Sequence, residues 1–131
     1  MEIASEAPSI NNNWPSDITF TLNGVQLGFW TSPGDYGDRR GKYTPAWWPA
    51  LTNQYGLLKQ LRITSKGTFM DGLKLSDVTL DQVNIRNKQW TFKLSVDEEA
   101  EHIGGITLFG KGFGNYNDDL IVELFYTDTH E

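Results

Sequence analysis

The sequence predicts an all-β fold, a jelly-roll-like β-sandwich of two antiparallel sheets. Three observations predict it. Apolar and polar residues alternate over short runs, turn signals recur about every 8–12 residues, and no stretch of the 131 residues carries a helical period of apolar side chains. About seven or eight short strands of this kind fit a sandwich or a barrel.

Residues 1–16 hold three consecutive asparagines and no periodicity, so they read as a tail or linker, with Trp14-Pro15 tucked against the body. Residues 17–131 read as one domain. Ile18, Phe20 and Leu22 alternate with Thr19 and Thr21, and Asn23-Gly24 follows, the residue pair that a two-residue type I′ turn requires. Folding there pairs Leu22 with Val25, Phe20 with Leu27 and Ile18 with Phe29, leaving Gln26 and Trp30 on the opposite, polar face. A second hairpin is expected over 81–96, with a turn at Asn87-Lys88 pairing Ile85 with Trp90 and Val83 with Phe92. That register makes Trp90 a core residue and puts Gln82 on the outer face. Further strands are expected at 55–64 (Leu57, Leu61 and Ile63 on one face), 68–75, 105–110 and 119–127. Turns are expected at Lys66-Gly67, Asp71-Gly72 and Gly112-Phe113-Gly114-Asn115, and an acidic loop at 97–102.

Composition removes several classes of function. The chain has no cysteine, so it holds no disulfide and no thiolate metal site. Its net charge of −6 is wrong for a polyanionic partner, and its one tight basic cluster, Arg39-Arg40-Gly41-Lys42, reads as a solvated loop, so no nucleic acid is expected. No run approaches the roughly 18 apolar residues of a membrane span, so no membrane partner is expected. Met1 opens a polar segment without a signal-peptide core, which fits either an intracellular protein or a domain cut from a longer chain, secreted or not; the abrupt ends favour the excised domain.

Catalytic groups are scarce. The two histidines are His102, in the acidic loop, and His130, beside the C-terminus; neither supplies the base of a nucleophilic triad. Glycoside hydrolysis needs two carboxylates across a cleft. Glu123 is the one glutamate inside an expected strand, while Glu98, Glu99 and Glu101 crowd a loop. No catalytic residue is assigned. The run 115–119 offers hard oxygen donors, including Asp118 and Asp119, but lacks the spacing of a calcium loop. Turn chemistry is the default there, so no cofactor or metal is assigned, and a structural calcium is the minor reading.

The residues that do point to function are aromatic. Trp47-Trp48-Pro49 closes a glycine-, proline- and charge-rich stretch over 31–46. Neighbours in an extended segment point in opposite directions, so one core cannot bury both rings. A flat exposed aromatic suits a ligand with a flat apolar face, such as a pyranose ring. The expected surface comprises Trp47, Trp48, Tyr43 and Trp30, with Gln26 and Gln82 as amides that donate to and accept from hydroxyl groups. Tyr36 belongs to the same aromatic group. Burying roughly 100 Å² against an indole contributes about 2–3 kcal/mol, which predicts affinities in the micromolar to millimolar range. Stacking and neutral hydrogen bonds also predict little response to salt. Steep salt dependence would instead indicate an acidic polymer gripped by Arg39, Arg40 and Lys42.

A cysteine-free, acidic, aromatic-rich sandwich of this length, with Trp47-Trp48 as its specific part, resembles the carbohydrate-binding modules of bacterial plant-cell-wall-degrading enzymes. It is most similar to the β-glucan- and xyloglucan-binding modules such as family 65, over about residues 17–127. The resemblance implies a non-catalytic extracellular module that binds internal stretches of β-glucan and holds an attached glycoside hydrolase near its polymer. It also implies a monomer whose partners are that polysaccharide and that catalytic domain. In such modules a tryptophan on a central strand often lines the site. That implication competes with the core reading of Trp90. The alternative function is a structural or protein-interaction sandwich in which Trp47 and Trp48 meet another domain.

Overall fold

A computed structural model describes residues 1–125. Among these, nine strands form and no α-helix does, so the all-β class holds. Hydrogen bonding divides the strands among three three-stranded antiparallel sheets where two were expected. The strands are β1 (Glu2–Ala4), β2 (Ser16–Leu22), β3 (Val25–Ser32), β4 (Leu57–Leu58), β5 (Leu61–Thr64), β6 (Gly67–Met70), β7 (Leu73–Ser76), β8 (Phe92–Val96) and β9 (Thr107–Phe109). The sheet orders are β4-β1-β9, β3-β2-β8 and β5-β6-β7. Ile3, Ile18, Phe20, Leu27, Met70 and Val83 make one buried cluster to which all three sheets contribute.

The expected tail is part of the body. Glu2, Ile3 and Ala4 are fully buried, and β1 is the central strand of its sheet, with Ile3 opposite both Leu57 and Leu108. Three residues are too few to show a period, which is why the segment looked unstructured. Residues 7–15 are tied down as well. Asn11 and Asp35 exchange backbone hydrogen bonds of 3.1 and 2.9 Å, and the Trp14 amide donates to the Pro33 carbonyl at 2.9 Å.

The first hairpin forms at Asn23-Gly24, both residues having the positive φ that the turn requires (50° and 80°). Leu22 faces Val25 and Thr21 faces Gln26, as expected. The register then shifts: Phe20 faces Gly28, Thr19 faces Phe29 and Ile18 faces Trp30. Leu27 is the extra residue of a β-bulge, and one extra residue sends every later side chain to the other face. Phe29 therefore points outward, 54 % exposed, while Trp30 packs against the core cluster with the Lys59 ammonium 4.9 Å above its ring. The expectation for both aromatics is reversed. Gly28 makes the bulge possible, with a φ of 134° and a position where a Cβ would sit 2.7 Å from Leu75 Cγ.

The second expected hairpin does not form. Its outer half is strand β8, but β8 pairs with β2, placing Phe92 opposite Leu22, Leu94 opposite Phe20 and Val96 opposite Ile18. The inner half is a 3-10 turn (Leu80–Gln82) followed by irregular chain, with Asn84 at a φ of 55°. Local bonds replace the ladder there. Asn23 Oδ1 accepts the Thr91 amide at 2.9 Å, and the Trp90 indole N–H donates to the Ile85 carbonyl at 3.0 Å.

The expected strand at 55–64 is two strands in different sheets, broken at Lys59-Gln60. The segment expected at 68–75 folds back at Asp71-Gly72 to give β6 and β7, and β9 lies inside the range expected at 105–110. Residues 119–125 form no strand, and the rest of that expected strand lies outside the described residues.

Candidate functional site

The loop after β3 is long and polar, yet it is pinned at many points. Gln54 is buried inside it, its side-chain amide donating to the Pro49 carbonyl at 2.8 Å. The Thr44 hydroxyl donates to the Gln54 carbonyl at 2.7 Å and accepts the Gly114 amide at 2.9 Å. Arg40 donates from Nη1 to the Pro45 carbonyl at 2.7 Å and from both terminal nitrogens to the Trp48 carbonyl at 3.1 Å. The Trp48 indole N–H donates to the Asn53 carbonyl at 3.0 Å.

A second loop, over 110–117, packs against the first. Tyr43 N–H donates to the Gly114 carbonyl at 2.7 Å, and Lys42 N–H to Asn115 Oδ1 at 2.9 Å. Beneath the second loop lies the Glu2 carboxylate, fully buried and held by backbone amides alone. It accepts Gly56 N–H at 2.8 Å, Asn115 N–H at 2.9 Å and Tyr116 N–H at 3.2 Å. Charge-assisted bonds of this kind are stronger than neutral ones. Gly114, at a φ of 73°, is the residue that lets the loop pass so close, because a Cβ there would lie 2.3 Å from the carboxylate oxygens.

These two loops bring together Trp47, Trp48 and Phe113. Trp48 and Phe113 meet edge to face at 5.3 Å, Trp47 and Trp48 at 5.8 Å, and Trp47 and Phe113 at 5.9 Å. Such pairs contribute about 0.5–1.5 kcal/mol each beyond their buried area. They hold Trp47 upright while it remains 72 % exposed; Trp48 is half-buried. Both tryptophans were expected on the surface; Trp47 is exposed there, while Trp48 is half-buried beneath it. Chemically, the arrangement is an exposed indole braced by two edge contacts, able to meet a flat apolar surface. Phe113 was read only as part of a turn, and no period or spacing pointed to it.

Tyr43 is exposed where the first loop meets the second at Gly114, and it carries the Lys42 ammonium 5.3 Å over its ring. The other three expected residues are elsewhere. Trp30 lies under Lys59 on the core side of β3. Gln26 is exposed next to the first hairpin turn, opposite Thr21. Gln82 sits in the 3-10 turn, where its Oε1 accepts the Thr79 amide at 2.9 Å. Trp90 is half-buried and is not part of the core cluster. It lines a cleft of about 590 Å³ with Leu61, Ile63, Ile85 and Phe92, along which residues 118–125 run.

At the two ends of the first loop, Tyr36 and Tyr55 stack at 5.4 Å, with the Arg39 guanidinium 5.1 Å from the Tyr55 ring. Burial, and then the Asp38 carboxylate, push the Tyr55 hydroxyl above its ordinary pKa, so it stays a donor to Asp38 at 2.6 Å. The oxygen-rich run 115–119 is occupied by turn bonds. Asn117 Oδ1 accepts the Gly112 amide at 2.7 Å and Asp119 Oδ1 the Lys111 amide at 2.8 Å. His102 Nδ1 lies 3.1 Å from Asp17 Oδ1, which also accepts the Thr31 hydroxyl at 2.7 Å; among the described residues no serine hydroxyl hydrogen bonds to that ring. His130 lies outside the described residues. Comparison with protein-family models, curated proteins and solved structures yields no match.

Proposed function

We propose that this chain is a non-catalytic, extracellular carbohydrate-binding module that stacks β-linked glucan, xyloglucan included, on Trp47 and Tyr43. The observation that carries this reading is the 72 % exposure of Trp47 on a support of Trp48 and Phe113. An exposed ring already fixed in orientation loses little freedom on binding, so most of the stacking energy goes into affinity. A β-sandwich scaffold, with the three sheets wrapped about one shared core, suits such a module because it presents rigid loops at its ends. Held on a hydrolase, the module raises local substrate concentration by tethering.

The test is gel retardation by xyloglucan, mixed-linkage glucan, xylan and mannan, run beside an assay for reducing-sugar release. Retardation by a β-glucan without sugar release is the expected result. Sustained hydrolysis by the pure protein, or free migration in every gel, removes the reading.

A protein-interaction module is the second reading. It is favoured by the apolar segment over 120–125, in which Ile121 is 66 % and Phe125 78 % exposed. Exposed apolar side chains grouped in one segment are a feature of protein-contact surfaces.

A further inference from the structure

Three sheet edges meet at the cleft beside Trp90. Strand β4 ends one sheet, β8 another and β5 the third, and among the described residues each has one unpaired side. Leu58 of β4, Leu61 and Ile63 of β5 and Phe92 of β8 line the cleft, with Leu22 and Leu27 from the first hairpin. Leu27 belongs to the buried core cluster, and Leu22, Leu61, Ile63 and Phe92 pack against it. The cleft of about 590 Å³ is therefore a gap in the cover of the core. An open edge over apolar side chains leaves backbone donors and acceptors ready for another strand.

The chain carries a strand-like segment at this gap. Residues 120–125 are apolar at every position but Glu123, and they line the same cleft. Among the described residues no backbone hydrogen bond ties them to the body. Their start is fixed, because Asp119 Oδ1 accepts the Lys111 amide at 2.8 Å. The two sides of the segment also differ. Leu120 and Leu124 are 38 % and 46 % exposed, whereas Ile121 and Phe125 stand far out in solvent. Val122, itself exposed, falls on the same side as Leu120 and Leu124 in extended chain.

A small apolar molecule would cover the side chains of the cleft and leave its edges unpaired. A strand covers the side chains and pairs an edge as well. A strand of this chain, anchored at Asp119, has a high effective concentration over any outside peptide.

We propose that residues 120–125 are a tenth strand that docks on the free edge of β5, turning Leu120, Val122 and Leu124 into the cleft. Docking closes the gap in the core and covers Trp90, which is half-buried while the segment lies undocked. The inference is independent of the carbohydrate reading, since none of these residues belongs to the Trp47 platform.

Hydrogen exchange on the full chain, read amide by amide by NMR, tests it. Alternate amides within 120–125, the ones facing β5, should exchange roughly tenfold or more slowly than in a free peptide of that sequence. Val122→Asp, on the cleft side, should abolish that protection, whereas Ile121→Asp, on the outer side, should leave it. Amides of β2 and β3 should stay protected in both variants, which shows the fold intact. Sedimentation at several concentrations identifies the copy that supplies the strand, and protection that persists in the monomer is expected. Protection present only in a dimer puts a second copy's strand in the cleft and overturns docking within one chain. Free-peptide exchange rates at 120–125 in the unaltered protein overturn the tenth strand, and so do equal effects of the two substitutions.

Discussion

The Glu2 carboxylate accepts the Asn115 amide at 2.9 Å, joining the second residue of the chain to the loop that carries Phe113. Nothing near either residue in sequence announces this contact. It links a fully buried strand to the loops that carry the exposed Trp47, so the shape of the candidate site depends on a side chain that never reaches the surface.

Replacing that carboxylate tests the link. Glu2→Gln puts an amide NH2 where backbone donors converge, leaving at least one buried N–H unpaired, at a cost of about 1–3 kcal/mol. Denaturant unfolding should show that loss, and polysaccharide affinity should fall with it as the Phe113 support loosens. Gly114→Ala should cost more than Gly24→Ala. Both residues have positive φ, but a Cβ at Gly114 meets Glu2 whereas one at Gly24 meets nothing within 4 Å. Equal stability losses in the two alanine variants would contradict the close packing described.

Trp47→Ala should abolish most of the carbohydrate affinity and leave the melting temperature nearly unchanged, since the ring is largely in solvent. Phe113→Ala should reduce both, because its ring braces Trp47 and Trp48. Titration calorimetry with thermal melts separates the two behaviours. A Trp47→Ala protein that binds normally would move the site away from this platform.

Phe20 and Trp90 should differ sharply in stability. Phe20 is fully buried and stacks on Phe92 at 6.2 Å, so Phe20→Ala should cost about 3–5 kcal/mol. Trp90 is half-buried at the cleft, and Trp90→Ala should cost about 1–2 kcal/mol, the share left by partial burial. Urea midpoints rank them; a larger loss for Trp90 would return it to the core.

Acid stability should carry the mark of Asp17. Burial pushes its carboxyl up, but bonds from the Thr31 hydroxyl and from the amide and ring of His102 outweigh burial and hold its pKa below the ordinary 3.8. A depressed folded-state pKa adds stability above the unfolded value and loses it as pH falls through the folded value. Asp17→Asn should therefore lower the melting temperature at neutral pH and reduce the drop seen below about pH 4. Asp35 has the opposite sign. Burial raises its pKa above 3.8, so its contribution is present below that value and lost as pH rises through the raised one. Asp35→Asn, which keeps an acceptor for the Ala7 amide, should raise the melting temperature at neutral pH. Melts across the pH range would expose an inverted sign for either residue.

Local chemistry fixed what local chemistry governs. Period-two alternation and the absence of a helical period set the all-β class, and Asn23-Gly24 set the first turn, because positive φ at two adjacent positions is a property of those residues themselves. The paired tryptophans marked the loop as one with an exposed aromatic, but both were expected on the surface; a turn closed by the Trp48 amide on the Pro45 carbonyl brings their rings together instead. Tertiary structure decided the rest. The bulge at Leu27 reversed Phe29 and Trp30, and Gly28 beside it packs against Leu75, from a strand more than forty residues away. The partner of β8 is β2 instead of its own neighbour, because pairing depends on which edge is open. Glu2 and Phe113 joined the site through contacts across nearly the whole chain. Contacts of that reach depend on how the sheets pack, which no window of sequence contains.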